Sequence, residues 1–393
     1  MSDAEAILTR ARPILDRLVA FDTTSRGSNL ALVDWVEAHL AAAGVVSHRI
    51  PSAAGDKANL LAVLGPAEVE GGLVLSGHTD VVPVDGQAWS SDPFTVTERD
   101  GRLFGRGTCD MKGFLALALA AEPAARARPL KRPLALAFSY DEEIGCFGAP
   151  SMIARLPQHM ATPAAVIIGE PTSMQAVQGH KGIVVVNVEV RGHEAHSGLT
   201  HLGVSANAAA VRLMDQLVRL SDRLEAEGEA DAASNFTPKG ATLTIGTIHG
   251  GTAGNILARE CRFQFDLRTL PGMDPFTVLG PFLAEAGAMD RALKARFPEA
   301  GVTVTTAAVV PPLAPRPEDG AEALARALAG DNGPARAVAF AAEAGQFQQA
   351  GYPAVICGPG SIDQAHQPDE YIEIAQLERG ADFMARLVER LQG

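Results

Sequence analysis

Four apolar runs in this chain each stop on histidine or carboxylate residues, and that pattern limits the folds open to it. LVLSGHTD ends at His78-Thr79-Asp80, LALAFSYDEE at Asp141-Glu142-Glu143 and AAVIIGE at Glu170, while AVICGPGSIDQAH runs on to His366. A further acid, Asp110, stands in the loop GRGTCDMKG. In an open parallel α/β sheet, functional groups collect just beyond the carboxyl ends of the strands, so the four endings can share one crevice. Imidazoles and carboxylates gathered there suit a hydrolytic metal centre.

The rhythm of the chain agrees with such a sheet. Helical patterns near 4–20, 30–44 and 111–127 separate apolar strands near 59–65, 73–78, 134–140 and 164–169, the alternation of a doubly wound, mostly parallel fold. From Lys181 the texture changes to GIVVVNVEVRG, SANAAAVRLMDQLVRL, ATLTIGTIHGG, ILARECRFQFDLRTL, a long helical stretch and GVTVTTAAVV. That order, β-α-β-β-α-β, predicts an α+β module of the ferredoxin-like kind, inserted between two parts of a discontinuous α/β domain. The expected division is 1–179, 180–312 and 313–393, with the Pro-rich PPLAPRPEDG as the return linker.

Length and composition set the remaining bounds. A chain of 393 residues exceeds the size at which one core keeps growing, which favours two domains. A net charge of -13 argues against a nucleic-acid or anionic-membrane partner. No apolar run reaches the roughly 18 residues needed to span a bilayer, and MSDAEAILTRARPILDRL reads as an amphipathic helix capped near Ser2 or Asp3 rather than a signal. Cys109, Cys146, Cys261 and Cys357 show no C-x-x-C spacing, which points away from a disulfide framework and towards a reducing, cytoplasmic setting. No G-x-G-x-x-G follows the first strand, so a dinucleotide-dependent oxidoreductase is set aside.

Each candidate has a bland alternative when taken alone. His78 would be a surface or satisfied core histidine, Asp110 a helix N-cap before MKGFLALALAA, and YDEE an exposed acidic turn. Together they favour a metal site. Asp80, two residues beyond His78 on extended chain, lies on the same side, where its carboxylate can take the other ring N–H. Glu142 and Glu143 point to opposite sides on extended chain, so one can bind metal while the other acts as a base towards substrate.

The motifs SGHTDVVPV, GRGTCDMKG, DEEIGCFGA, IIGEPT, EAHSG and GPGSIDQAHQPDEYI resemble those of the di-zinc amidohydrolase family that includes aminoacylases, carboxypeptidase G, desuccinylases and deacetylases of amino acids. The resemblance implies two zinc ions per subunit, with cobalt or manganese able to substitute. It implies that His78 and Glu170 bind one ion, Glu143 and His366 the other, and that Asp110 bridges them, with a cis peptide following Asp110. Glu142 would be the general base and Asp80 the partner of His78. The inserted module would be a lid and homodimerisation domain in which His196 stabilises an oxyanion, and Asn255 and Arg268 hold substrate. The likeness in GRGTCDMKGF, FDLRTLPG and CGPGSIDQAHQPDEYI is to the acetylornithine deacetylase branch, which implies a small N-acyl amino acid as substrate, N2-acetyl-L-ornithine above all. Alternatives are deacylation of acetylcitrulline, acetylmethionine or succinyl-diaminopimelate, and a non-catalytic binding protein on the same fold. Two segments depart from that branch: AHSG stands for the common AHSS, and FAAEAG for FGTEAG, so Ala342 replaces a threonine while Glu343 remains to meet the amine of an ornithine side chain.

Overall fold

The runs Leu73–His78, Leu134–Ser139 and Ala165–Pro171 are strands buried along their whole length. Strands covered on both faces need continuous apolar sequence, which is what these runs supply. In the computed structural model, which describes residues 1–393, six strands lie side by side. Their order is Ser47–Pro51, Ala58–Leu64, Leu134–Ser139, Leu73–His78, Ala165–Pro171 and Ala354–Gly358. The last four are mutually parallel, and the first two join antiparallel at one edge. The fold is therefore α/β with a mostly parallel sheet, and the four parallel strands are those whose ends carry the His and acid residues.

Helices Asp3–Val19, Leu30–Ala42, Gly113–Ala120 and Ile374–Gln392 add to this core through residues such as Leu15, Leu18, Val36, Phe114, Leu117, Met384 and Leu387. Each such side chain taken fully out of water contributes about 1.5–3 kcal/mol before the entropy of ordering is subtracted. The first helix begins at a capping box in which Ser2 and Glu5 satisfy each other's backbone amides.

The segment between the strands Leu73–His78 and Leu134–Ser139 differs from the single helix expected over 111–127. Residues Thr108–Lys112 form a wide turn, with helices Gly113–Ala120 and Glu122–Ala127 after it. Asp110 lies in the turn and caps neither helix, because the first begins at Gly113 without a side-chain cap. The Asp110–Met111 peptide is cis, at the bond where the resemblance puts one. Two glycines let this segment settle over the strand ends. A Cβ on Gly77 would lie 2.5 Å from Met111 Cε, and one on Gly169 would lie 2.0 Å from Phe114 Cγ. Three short strands not foreseen in the sequence, Thr97–Arg99, Arg102–Phe104 and Tyr371–Glu373, form a small antiparallel sheet that brings the chain after His366 back beside Arg106.

The chain divides into two compact units, one made of Met1–Gly179, Leu313–Arg336 and Ala342–Gly393, the other of His180–Pro312 and Ala337–Ala341. The second unit has an antiparallel sheet in the order Thr242–Gly250, Glu260–Thr269, Gly182–Arg191, Gly301–Val310. Val184, Val186, Val188 and Val190 alternate inward from one strand, as a period of two requires. They pack with Ala206, Ala210, Leu213, Leu217, Leu220 and Leu224 of the helix Ala206–Ala230, whose spacing of three and four marks one buried stripe. Ser205 and Asp274 cap the two helices of this unit.

Candidate metal centre

His78 is the last residue of its strand, with a side chain only 1% exposed. Its Nε2 lies 3.1 Å from Asp110 Oδ1 and 3.8 Å from Glu170 Oε1. On the other side of the same carboxylate, Asp110 Oδ2 is 3.4 Å from His366 Nε2, which is also 3.0 Å from Glu143 Oε2. Asp110 thus presents one oxygen to each histidine. The atoms able to hold a metal ion fall into two groups that share this residue: His78, Asp110 and Glu170, and Asp110, Glu143 and His366, the atoms of each group lying within 4.8 Å of one another.

These groups fit divalent cations, and the fit shows in the polar atoms themselves. Glu143 Oε1 and Glu170 Oε1 are buried with no hydrogen-bond partner, an arrangement that is costly for a carboxylate unless a cation faces it. Burial, reinforced by the charge of Asp110, pushes Glu143 up to about 7 and raises Glu170 well above the ordinary carboxylate range. Burial also pushes Glu142 up to about 8, despite the nearby His78. Burial disfavours the charged form of His78, but the hydrogen bond with Asp110 and the charges of Glu170 and Glu142 outweigh it and raise the imidazole well above its usual value. His366 rises to about 10 through its hydrogen bonds with Asp110 and Glu143. Histidines protonated against a surplus of acids are how such a donor set balances charge on its own; a doubly charged ion replaces those protons. Imidazole nitrogen and carboxylate oxygen are donors that zinc, cobalt and manganese all accept.

Asp80 sits differently from the expectation. The ring Nδ1 of His78 is 2.8 Å from the main-chain oxygen of Asp80, and its carboxylate Oδ1 is farther, at 3.7 Å. The carboxylate is engaged elsewhere: Oδ1 accepts from the Glu142 amide at 3.1 Å, and Oδ2 accepts from the Glu143 amide at 3.3 Å and from Ser25 Oγ at 2.6 Å. Glu142 and Glu143 are not on extended chain, either. They follow Asp141, whose φ is 56°, in a turn closed by the Gly145 and Cys146 amides donating to Glu142 O. What separates the two carboxylates is this turn. Glu143 reaches His366, while Glu142 Oε1 accepts from the Cys146 thiol at 3.2 Å.

Glu343 is 1% exposed and accepts from Ser76 Oγ at 3.1 Å, so in this structure it faces the sheet and not solvent. His196, Asn255 and Arg268 belong to the second unit. There the segments carrying His196 and Asn255 are tied together, the Ser197 amide donating to Asn255 O at 2.9 Å, and both side chains are exposed. Gly198 leaves room beside that imidazole, since a Cβ would come within 3.3 Å of His196 Nδ1. Arg268 lies on the strand Glu260–Thr269, with Nη2 3.6 Å from Asp266 Oδ2.

Behind Asp110 lies a buried pair that the sequence patterns do not announce. Glu370 Oε1 accepts from the Cys109 and Asp110 amides at 3.0 and 3.1 Å, and its Oε2 accepts from Arg106 Nη1 at 2.7 Å. Both are essentially inaccessible, at 1% and 0%. The signal available was an arginine inside GRGTCD and an acid four residues after His366, either of which reads by itself as an ordinary loop charge.

A sequence model described as "Peptidase family M20/M25/M40" matches residues 74–390. The chain is similar to an acetylornithine deacetylase of Myxococcus xanthus, at 36% identity with all of both chains covered. It is similar to one of Proteus mirabilis at 36%, covering 94% of this chain and 92% of that one. Among solved structures, it shares its fold with an M20 family metallo-carboxypeptidase from Sulfolobus solfataricus, with TM-score 0.74, 18% identity and coverage of 97% and 99%. It also does so with a tripeptidase from Staphylococcus aureus, with TM-score 0.73, 20% identity and 98% of both chains covered.

Proposed function

This chain belongs to peptidase family M20/M25/M40, whose members are metal-dependent hydrolases, and from that premise we propose that it deacetylates N2-acetyl-L-ornithine, giving L-ornithine and acetate for arginine biosynthesis. The observation that carries this reading is Asp110, whose two oxygens face two separate groups of imidazole and carboxylate ligands beside Glu142. The choice of substrate is supported by the relatives in Myxococcus xanthus and Proteus mirabilis, which are acetylornithine deacetylases.

His78, Asp110 and Glu170 would hold one zinc ion and Asp110, Glu143 and His366 a second, with cobalt or manganese as substitutes. When bound, these ions lower the pKa of water and polarise the acyl carbonyl. Glu142 takes the proton of the attacking water and delivers it to the departing α-amine; its burial, which favours the protonated form, suits a group that must hold a proton between two steps. Asp80 fixes the main chain of Glu142 and Glu143, so that base and ligand keep their places. We assign His196 to the oxyanion of the tetrahedral intermediate, and Arg268 with Asn255 to the substrate carboxylate, for which a guanidinium fork is suited. We also assign the unit around 180–312 to the contact between two copies of the chain, a role favoured by its edge strand Thr242–Gly250, on which Ile248 is 55% exposed. A cytoplasmic setting suits its four unpaired, buried cysteines.

The test is ornithine release from N2-acetyl-L-ornithine by zinc-reconstituted protein, beside N2-acetyl-L-citrulline, N-acetyl-L-methionine and N-succinyl-diaminopimelate. Preference for the first, lost in Glu142→Ala by about 100-fold or more with both metals still bound, is the expected result. Faster turnover of another substrate would reassign the specificity, and undiminished turnover by Glu142→Ala would remove Glu142 from its role.

A further inference from the structure

We propose that Gln87, acting with Arg106 and Glu370, is a positioning residue for the half of the metal centre that contains His366. The inference rests on the metal reading above and deepens it. The two halves are held in different ways. His78 ends a central strand, is buried, and has its free ring nitrogen fixed by the Asp80 carbonyl. His366 stands in a loop at φ 62°, with half of its side chain exposed, so neither packing nor strand pairing sets its direction.

What reaches His366 instead is a chain of hydrogen bonds from behind Asp110. Glu370 holds the amides of Cys109 and Asp110 and is paired with Arg106. Arg106 Nη2 donates to Gln87 Oε1 at 2.5 Å, and Trp89 Nε1 donates to the same oxygen at 3.1 Å. Guanidinium and indole N–H groups only donate, so they determine which end of the Gln87 amide is oxygen. The remaining end, Nε2, donates to the main-chain oxygen of His366 at 3.0 Å. The same two loops are clasped again where Ser90 N and Oγ donate to Asp369 Oδ1 at 2.8 and 3.0 Å. One network therefore fixes the backbone of the shared carboxylate and of the loop histidine relative to each other. Groups that orient ligands from behind commonly govern metal affinity by 10–100-fold.

The two halves give the test its contrast. Metal-free protein is titrated with zinc against a chromophoric chelator, and both binding steps are resolved for wild type, Gln87→Ala and His366→Ala. The expected result is that Gln87→Ala weakens one step by about 10-fold or more, that this is the step His366→Ala abolishes, and that the other step stays as in wild type. Gln87→Met, which keeps the side-chain volume, should behave in the same way and guards against a folding defect in the smaller variant. Two unchanged steps in a folded Gln87 variant, or equal weakening of both, would overturn the inference alone. Wild-type protein that binds no zinc would overturn the metal reading and this inference with it.

Discussion

At the scale of single residues, Asp80 shows how one carboxylate can order a site without touching what binds there. Its two oxygens receive the amides of Glu142 and Glu143 and the hydroxyl of Ser25, so its charge is spent on three donors. In Asp80→Asn one of those oxygens becomes an NH₂ that faces a donor, leaving a clash of like dipoles at the root of the turn. We expect kcat to fall by about 10–100-fold with KM little altered, because the displaced groups are the proposed base and a proposed ligand and not the surfaces that hold substrate. Steady-state kinetics at fixed zinc decides it, and a rise in KM alone would contradict the assignment. The sequence placed Asp80 beside His78 through the two-residue repeat of extended chain and expected its carboxylate at the ring, where the structure has its main-chain oxygen instead. That depends on the turn at Asp141, whose positive φ aspartate adopts more readily than most residues but which nothing in the run LALAFSY announces.

At the scale of elements, the centre is made by a turn and a helix lying tightly over strand ends. Gly169 lies one residue before Glu170, and a Cβ there would fall inside the Phe114 ring. Gly169→Ala should therefore destabilise the protein by roughly 3 kcal/mol, the upper end of what overpacking costs, read as a lower urea midpoint at unchanged slope. Adding Phe114→Leu, which removes the obstructing ring, should make the double variant more stable than the sum of the two single losses; strict additivity would show that the contact is not the cause. The long buried strands and their charged endings were legible because burial on two faces demands an unbroken apolar run that must stop where the sheet does. The strands Thr97–Arg99, Arg102–Phe104 and Tyr371–Glu373 were not, since three residues are too few for alternation to register. With them the sequence also hid Glu370, whose place behind Asp110 depends on the pairing of Tyr371–Glu373 with Arg102–Phe104.

At the scale of the whole molecule, every group in the proposed centre lies in the first unit, so stability there is linked to metal and to pH. A group whose pKa is raised on folding gives stability that is complete below its unfolded value and is lost as pH climbs through the folded one. Glu142 at about 8 and Glu143 at about 7, against 4.5 unfolded, lose theirs across the neutral range, and the raised Glu170 acts in the same direction. His366, carried from 6.5 to about 10, adds to the loss above pH 6.5. Lys112 opposes it, because burial lowers its pKa from 10.5 to about 7, so its contribution improves as pH rises through that interval. His180, lowered by burial from 6.5 to about 4, contributes stability that is present above pH 6.5 and is lost as pH falls through about 4, so its slope is confined to acid. The metal-free protein should therefore lose stability as pH rises from about 6 to about 8, several raised groups outweighing one lysine. Zinc requires its ligands without protons and replaces the charge those protons supplied, which removes most of that slope. Thermal unfolding with zinc and with chelator at three pH values across this range should show a gap that widens towards pH 8. A gap of constant size would mean that the acids clustered around Asp110 give up no protons when metal binds, and would count against Glu143, Glu170 and His366 as its ligands.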